Sequence, residues 1–228
     1  MSSLNNFVSA TLSNIMHINC RSLSGCFTEL NILLGLLPQP LVALAVTETW
    51  LDHSNHDLVG IKGYNFISQP RASGGSGGGV GLYLRDDLTY TLLNNLCINL
   101  AHIECIFAEV CMPGLINSNI VIGCVYRPPA SDFTQFNSNI SSLLGLLETG
   151  NSKSMTVIMA GDFNIDLIKT GSHGPSDEFA NNLLSHTFLP TISVPTRIAE
   201  FSATLIDNIF VRSSRHNVTK SAAIYSDI

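Results

Sequence analysis

The chain has 228 residues, enough for one large domain or two small ones with a real core. At 45% hydrophobic and 12% charged residues it is not a disordered chain. Its formal net charge of −6 excludes a global basic field for nucleic acid, so an anionic substrate needs a local patch or a bound cation. Arg21, Arg71, Arg85, Arg127 and Arg197 are the candidates for such a patch.

The opening "MSSLNNFVSATLSNIMH" lacks the basic start and apolar block of a secretory leader. The run 14–18, "NIMHI", predicts a strand that ends in Asn19. A helix is expected over 24–37, where Phe27, Leu30, Leu34 and Leu37 recur every three to four residues. Pro38, Gln39 and Pro40 cut the apolar stretch around them below bilayer length, so no membrane partner is expected. A second strand, 41–47, ends in Glu48. The Gly-rich "SGGSGGGVG", 73–81, reads as a loop entering the strand 80–84; it lacks the Lys-Ser/Thr and the helix of a phosphate cradle. Strands follow at 103–110 and 119–126, the latter ending in Tyr126 and Arg127. Asp132 is the expected cap of a helix over 132–148, with Phe133, Phe136, Ile140, Leu143, Leu144 and Leu147 on one face. The strand 155–160 runs into Gly161-Asp162-Phe163-Asn164, Ser176 is the expected cap of a helix over 176–186, and the run 204–211 carries Asp207 and Asn208 inside it. Strands mixed with helices predict an α/β (α+β) domain with helix-covered sheets. The six cysteines form no CxxC or zinc spacing and read as reduced, mostly core residues of an intracellular protein.

The ends of the apolar runs carry the chemistry. Asn19, Glu48, Tyr126, Asp162 and Asn164 all follow buried strand patterns, and sites cluster at strand carboxyl ends. Asp207 lies between Ile206 and Ile209, where a bare carboxylate is costly unless partnered, often by an imidazole, or exposed at a strand edge. These residue types suit metal-assisted attack on a phosphate ester. Mg²⁺ takes one or two carboxylates plus water and substrate phosphate, with Glu48 the first candidate ligand and Asn19 beside it. Asp162 and Asn164 would position or deprotonate a water, and Tyr126 would donate to a phosphate oxygen or the leaving group. Satisfied turn residues and a non-catalytic binding groove are the competing readings.

"HINCRSL" (17–23), "TETWL" (47–51), "GYNFISQPR" (63–71), "GGGVGLYL" (77–84), "VYRPP" (125–129), "GDFNID" (161–166), "PTR" (195–197) and "SATLIDNIF" (202–210) occur in that order. The chain so resembles the endonuclease/exonuclease/phosphatase superfamily, and within it the apurinic-type endonuclease domain of LINE-type, non-LTR retrotransposons. The resemblance implies one domain over 1–228, a four-layer sandwich of two mixed β-sheets flanked by helices, and Mg²⁺, or Mn²⁺ in its place, as cofactor. It implies DNA as substrate, nicked on one strand to leave a 3′-hydroxyl primer, and a reverse transcriptase domain on the same chain in a full-length element. Nuclear location follows from that substrate. The implied catalytic residues are Asn19, Tyr126, Asp162, Asn164 and Asp207, with Glu48 and Asn19 on the metal. Arg127, Arg197 and Asn208 are expected to contact the substrate.

The family pattern ends in Ser-Asp-His, whereas this chain ends "IYSDI". The expectation is a chain that stops just before that triplet, without the last strand, and is weak or inactive as a nuclease. Rival readings are a phosphoesterase of the same superfamily acting on lipid or inositol phosphates, and a catalytically dead remnant or binding domain.

Overall fold

The computed structural model describes residues 14–52, 55–72, 77–112, 119–149, 152–153, 155–213 and 221–224. Residues 73–76 of the Gly-rich loop and the terminal Ser226-Asp227-Ile228 lie outside the described residues, so the expectations placed on them have no structural counterpart here.

The first sheet is built from β1 (Ile15–Asn19), β2 (Ala43–Thr47), β3 (Tyr64–Gln69) and β4 (Val80–Arg85), in the order β1-β2-β4-β3. Its β1–β2 pair is parallel and the other two pairs are antiparallel. A larger sheet contains β5 (Tyr90–Leu92), β6 (Ile98–Leu100), β7 (Ile103–Cys111), β8 (Asn119–Tyr126), β9 (Thr156–Asp162), β10 (Leu189–Pro190) and β13 (Asp207–Arg212). Its order is β10-β13-β9-β8-β7-β5, with β6 also pairing β7 and only β8–β9 parallel among the described pairs. β11 (Arg197–Ala199) and β12 (Ser202–Thr204) form a separate two-stranded ribbon.

Alternation along the strands separates the layers. Ala43, Ala45, Leu82 and Leu84 of the small sheet meet Ile106, Ala108, Ile122, Cys124 and Ala160 of the large one in a dry inter-sheet core. The intervening residues face outward. Leu44, Val46 and Tyr83 pack under α1 (Leu23–Leu36). Val121, Val125, Val157 and Met159 pack under α2 (Phe133–Leu147) and α3 (Gly174–Ser185). The result is helix, sheet, sheet, helix: the expected four-layer sandwich. Among the described residues no helix is long and apolar enough to cross a membrane.

The α1 and α2 patterns place those helices correctly, and the Asp132 carboxylate accepts from the Gln135 amide at 2.7 Å as its cap. α3 differs. It starts at Gly174 with His173 as N-cap, because Pro175 suits the first turn with its fixed φ and missing N–H. Ser176 is instead fully buried, its hydroxyl donating to the Asp166 carbonyl at 2.9 Å. The run 204–211 is not one strand either. The Ile206 and Asp207 amides turn to the Thr196 hydroxyl at 3.3 and 3.2 Å, so β12 ends at Thr204 and Asp207 opens β13.

Candidate active site

Four polar residues occupy one row across the large sheet. Glu104 of β7 pairs with Tyr126 of β8, Tyr126 with Asp162 of β9, and Asp162 with Asp207 of β13. Each sits at or next to a strand end, on the parity that faces the small sheet. Opposite them β1 and β2 end in register at Asn19 and Thr47. Glu48 follows at a φ of 53°, a left-handed conformation that non-glycine residues adopt at a cost. Its carbonyl is held by the Ser22 amide at 2.9 Å.

The two sheets meet through Asn19. Its Nδ2 donates to Glu48 Oε1 at 3.0 Å and to Asp162 Oδ2 at 2.6 Å. Asp162 is 2% exposed, and its other oxygen accepts from the Asn164 amide at 3.0 Å. Asn164, at a φ of 47°, donates from its side chain to the Arg127 carbonyl at 2.8 Å. A Cβ on Gly161 would collide with the Val125 carbonyl oxygen, so glycine lets β9 lie close to β8 just before Asp162. Burial, and then the Asp207 charge, push the Asp162 carboxyl up to about 7 against the pull of its Asn164 and Asn19 bonds.

His17 lies two residues before Asn19 and shares its face. Its Nε2 is 3.1 Å from the Thr47 hydroxyl, and its Nδ1 is 3.8 Å from Asp207 Oδ1. Burial lowers its pKa although Asp207 pulls it up, so the ring is neutral at neutral pH. Asp207 Oδ1 is buried and makes no hydrogen bond. Tyr126 is 2% exposed, and burial, with Glu48 and Asp162 adding to it, holds its phenol protonated.

The structure thus brings Asn19, Glu48, Tyr126, Asp162 and Asp207 into one cluster at the ends of the facing sheets, with Asn164 bracing Asp162. Two of the expected substrate contacts need correction. Arg127 is 9% exposed; its guanidinium donates to the carbonyls of Asn164 and Ser131 at 3.0 and 2.6 Å and lies over the rings of Phe133 and Phe136. Asn208 is 2% exposed and bonds the backbone of Thr191 and Ile192. The reason is common to both: each is the immediate neighbour of a cleft residue, Tyr126 or Asp207, and alternation turns it to the opposite face. Arg197 is exposed on the ribbon, one residue after the Thr196 hydroxyl that fixes the Asp207 amide. Arg85 pairs with Asp87 at 2.5 Å, so the five arginines do not form one patch.

Sequence reasoning missed Glu104, 1% exposed in the same row. Its signal is the one that exposed Asp207: a carboxylate between Ile103 and Cys105 inside an apolar strand.

Glu48 Oε1 and Asp162 Oδ2 converge on one side-chain nitrogen, which makes a hard-oxygen donor set of the kind Mg²⁺ takes. Among the described residues no three His, Cys, Asp or Glu side chains group to hold an ion by themselves. An ion bound there would have to complete its shell with water and substrate oxygens.

A family model described as "Endonuclease/Exonuclease/phosphatase family" matches residues 16–227. No curated protein matches the chain by sequence. The fold is similar to the endonuclease domain of TRAS1, a telomere-specific non-LTR retrotransposon, with a TM-score of 0.63 and 13% identity over 86% of this chain and 82% of that one. It is similar to an AP endonuclease from Leishmania major, with a TM-score of 0.67 and 14% identity over 92% of this chain and 81% of that one. A mannosyl-6-phosphatase from Bacteroides thetaiotaomicron gives a TM-score of 0.60 and 14% identity over 88% and 84%. At these identities the likeness is one of fold.

Proposed function

The chain belongs to the endonuclease/exonuclease/phosphatase family, and from that premise we propose that it is the Mg²⁺-dependent DNA endonuclease domain of a LINE-type retrotransposon. It would hydrolyse one phosphodiester bond of duplex DNA and leave a 3′-hydroxyl. The observation that carries this reading is the Asn19 amide bonded to Glu48 and Asp162 at once, which ties the metal-ligand candidate of one sheet to the water-positioning candidate of the other. The order of the sequence motifs supports the retrotransposon branch, and a retrotransposon endonuclease domain is among the solved structures that share the fold.

Glu48 and Asn19 would hold the cation, which supplies charge neutralisation at the phosphate and at the leaving oxygen. Asp162, with its carboxyl near neutrality, can accept a proton from a water. Asn164 fixes the rotamer of that carboxylate through its backbone amide. Tyr126 stays protonated and so donates, to a phosphate oxygen or to the leaving oxygen. Asp207 offers its unpartnered oxygen to an imidazole or a water at the floor of the cleft. With DNA as substrate the protein would act in the nucleus, beside a reverse transcriptase domain in a full-length element.

The test is nicking of supercoiled plasmid with Mg²⁺. The expected product is open-circular DNA that primes a polymerase without end treatment. EDTA abolishes it, and Glu48→Gln and Asp162→Asn each reduce it by about 10² or more. Equal nicking by wild type and both variants would overturn the reading.

A further inference from the structure

Arg71 follows β3 on the small sheet and reaches across to the large one. Its Nε donates to Glu104 Oε1 at 2.5 Å, and the other Glu104 oxygen accepts from the Gly79 amide at 2.5 Å. The backbone on either side of Arg71 is clamped by Asn99, whose side chain accepts from the Ala72 amide at 3.2 Å and donates to the Pro70 carbonyl at 2.7 Å. The guanidinium lies between Tyr126, with Cζ 5.9 Å from the ring centroid, and Gly78, which has a φ of +72° and where any Cβ would collide with it. Its Nη2 is buried and has no hydrogen-bond partner.

Glu104 is 1% exposed while the Arg71 side chain keeps 24% of its surface, so the pair places a buried carboxylate behind a cation that still meets solvent, and stability alone gains little from it. What it achieves is a fixed cation beside the Tyr126 phenol, in a cleft where Glu48, Asp162 and Asp207 supply negative charge and His17 is neutral. Arg71 is near enough to oppose the upward pull of burial on the Tyr126 hydroxyl. An oxyanion held by that hydroxyl would meet the field of the guanidinium, whose Cζ is 5.9 Å from the ring centroid. A planar guanidinium held through its Nε by a carboxylate and flanked by a phenol suits a tetrahedral phosphate oxygen.

We propose that Arg71 is a phosphate-contacting cation of the cleft, paired with the Tyr126 hydroxyl, and that Glu104 is its positioning residue. The inference rests on the phosphodiesterase reading above for its substrate class, a phosphate ester, and it adds a cation on the Tyr126 side of that phosphate.

Trp50 is the chain's single tryptophan, and its amide donates to the Gly78 carbonyl at 2.9 Å on the loop that packs on Arg71. Its fluorescence is therefore a reporter. The probe is inorganic phosphate, titrated at constant ionic strength with Mg²⁺ held fixed. The variants are Arg71→Lys, Glu104→Gln, the double Arg71→Gln/Glu104→Gln, and Lys169→Ala, a cation outside the cleft. The double variant leaves no unpaired buried charge, so it keeps the experiment decisive if Arg71→Gln alone fails to fold.

Wild type is expected to bind phosphate saturably. The double variant loses roughly tenfold or more in affinity, the loss expected for a charge-assisted bond to an anion. Arg71→Lys and Glu104→Gln fall between, each read at a temperature where it stays folded, and Lys169→Ala binds as wild type. Phosphate binding by the double variant that equals wild type, no saturable response in wild type, or an equal loss in Lys169→Ala would each overturn the proposal. Arg71-dependent phosphate binding in a protein that never nicks plasmid would support it while removing the endonuclease reading.

Discussion

Asn19 and Asp162 stand 143 residues apart in the chain and are joined by a 2.6 Å hydrogen bond from Nδ2 to Oδ2. The same nitrogen donates to Glu48, so one amide separates two carboxylates that would otherwise repel. Asn19→Ala is expected to lower stability in EDTA by about 1–3 kcal/mol, the usual loss when buried acceptors are left without their donor. Urea unfolding checks this. Asn19→Asp should be worse, because it puts a third carboxylate in the same place.

The Asp162 carboxyl makes the metal-free fold sensitive to pH. Its ordinary value is 3.8 and its folded value is about 7. Between them the folded state keeps a proton that the unfolded state has released. Stability is therefore fully present below the lower value and falls as pH rises across that window. Melting in EDTA at pH 5, 6, 7 and 8 should show the decline. Asp162→Asn should flatten it and raise the melting temperature at pH 8 while removing activity.

Adding Mg²⁺ should reverse much of that loss. A ligand that binds the folded state alone stabilises it by about 2.7 kcal/mol at a hundred times its dissociation constant. The melting temperature at pH 8 is expected to rise with Mg²⁺ in wild type. Glu48→Gln should abolish the rise, measured by calorimetry with and without EDTA.

Arg127 belongs to the scaffold. Its guanidinium ties the Asn164 and Ser131 carbonyls and covers Phe133 and Phe136. Arg127→Ala is expected to cost about 2–4 kcal/mol, through carbonyls left unpaired and lost packing, with little change in DNA affinity at temperatures where it stays folded. Fluorescence anisotropy with a duplex, beside a melting curve, separates the two effects.

The fold was legible because alternation and helical periodicity are local. Asp132 capping α2 and the apolar face above it needed only a short window of sequence. Asn19, Glu48, Tyr126 and Asp162 were legible as polar ends of apolar runs, and their order in the chain carried the family resemblance. What alternation also dictates, but residue type conceals, is direction. Arg127 and Asn208 have the chemistry of substrate contacts, yet one step along the strand from Tyr126 and Asp207 turns them away. Glu104 was hidden for the opposite reason: its row is set by the pairing of β7 with β8, a register that no single stretch of sequence contains. The bond of Arg71 to Glu104 likewise depends on how the two sheets pack.

The central claim is that Glu48 and Asn19 of one sheet hold a divalent ion beside Asp162 of the other. A crystal grown with Mn²⁺ and measured at the manganese absorption edge tests it most directly. The expected anomalous map has its strongest peak against Glu48, on the side shared with Asn19 and Asp162. A map with no peak in that cleft, or with its strongest peak away from Glu48, would contradict it.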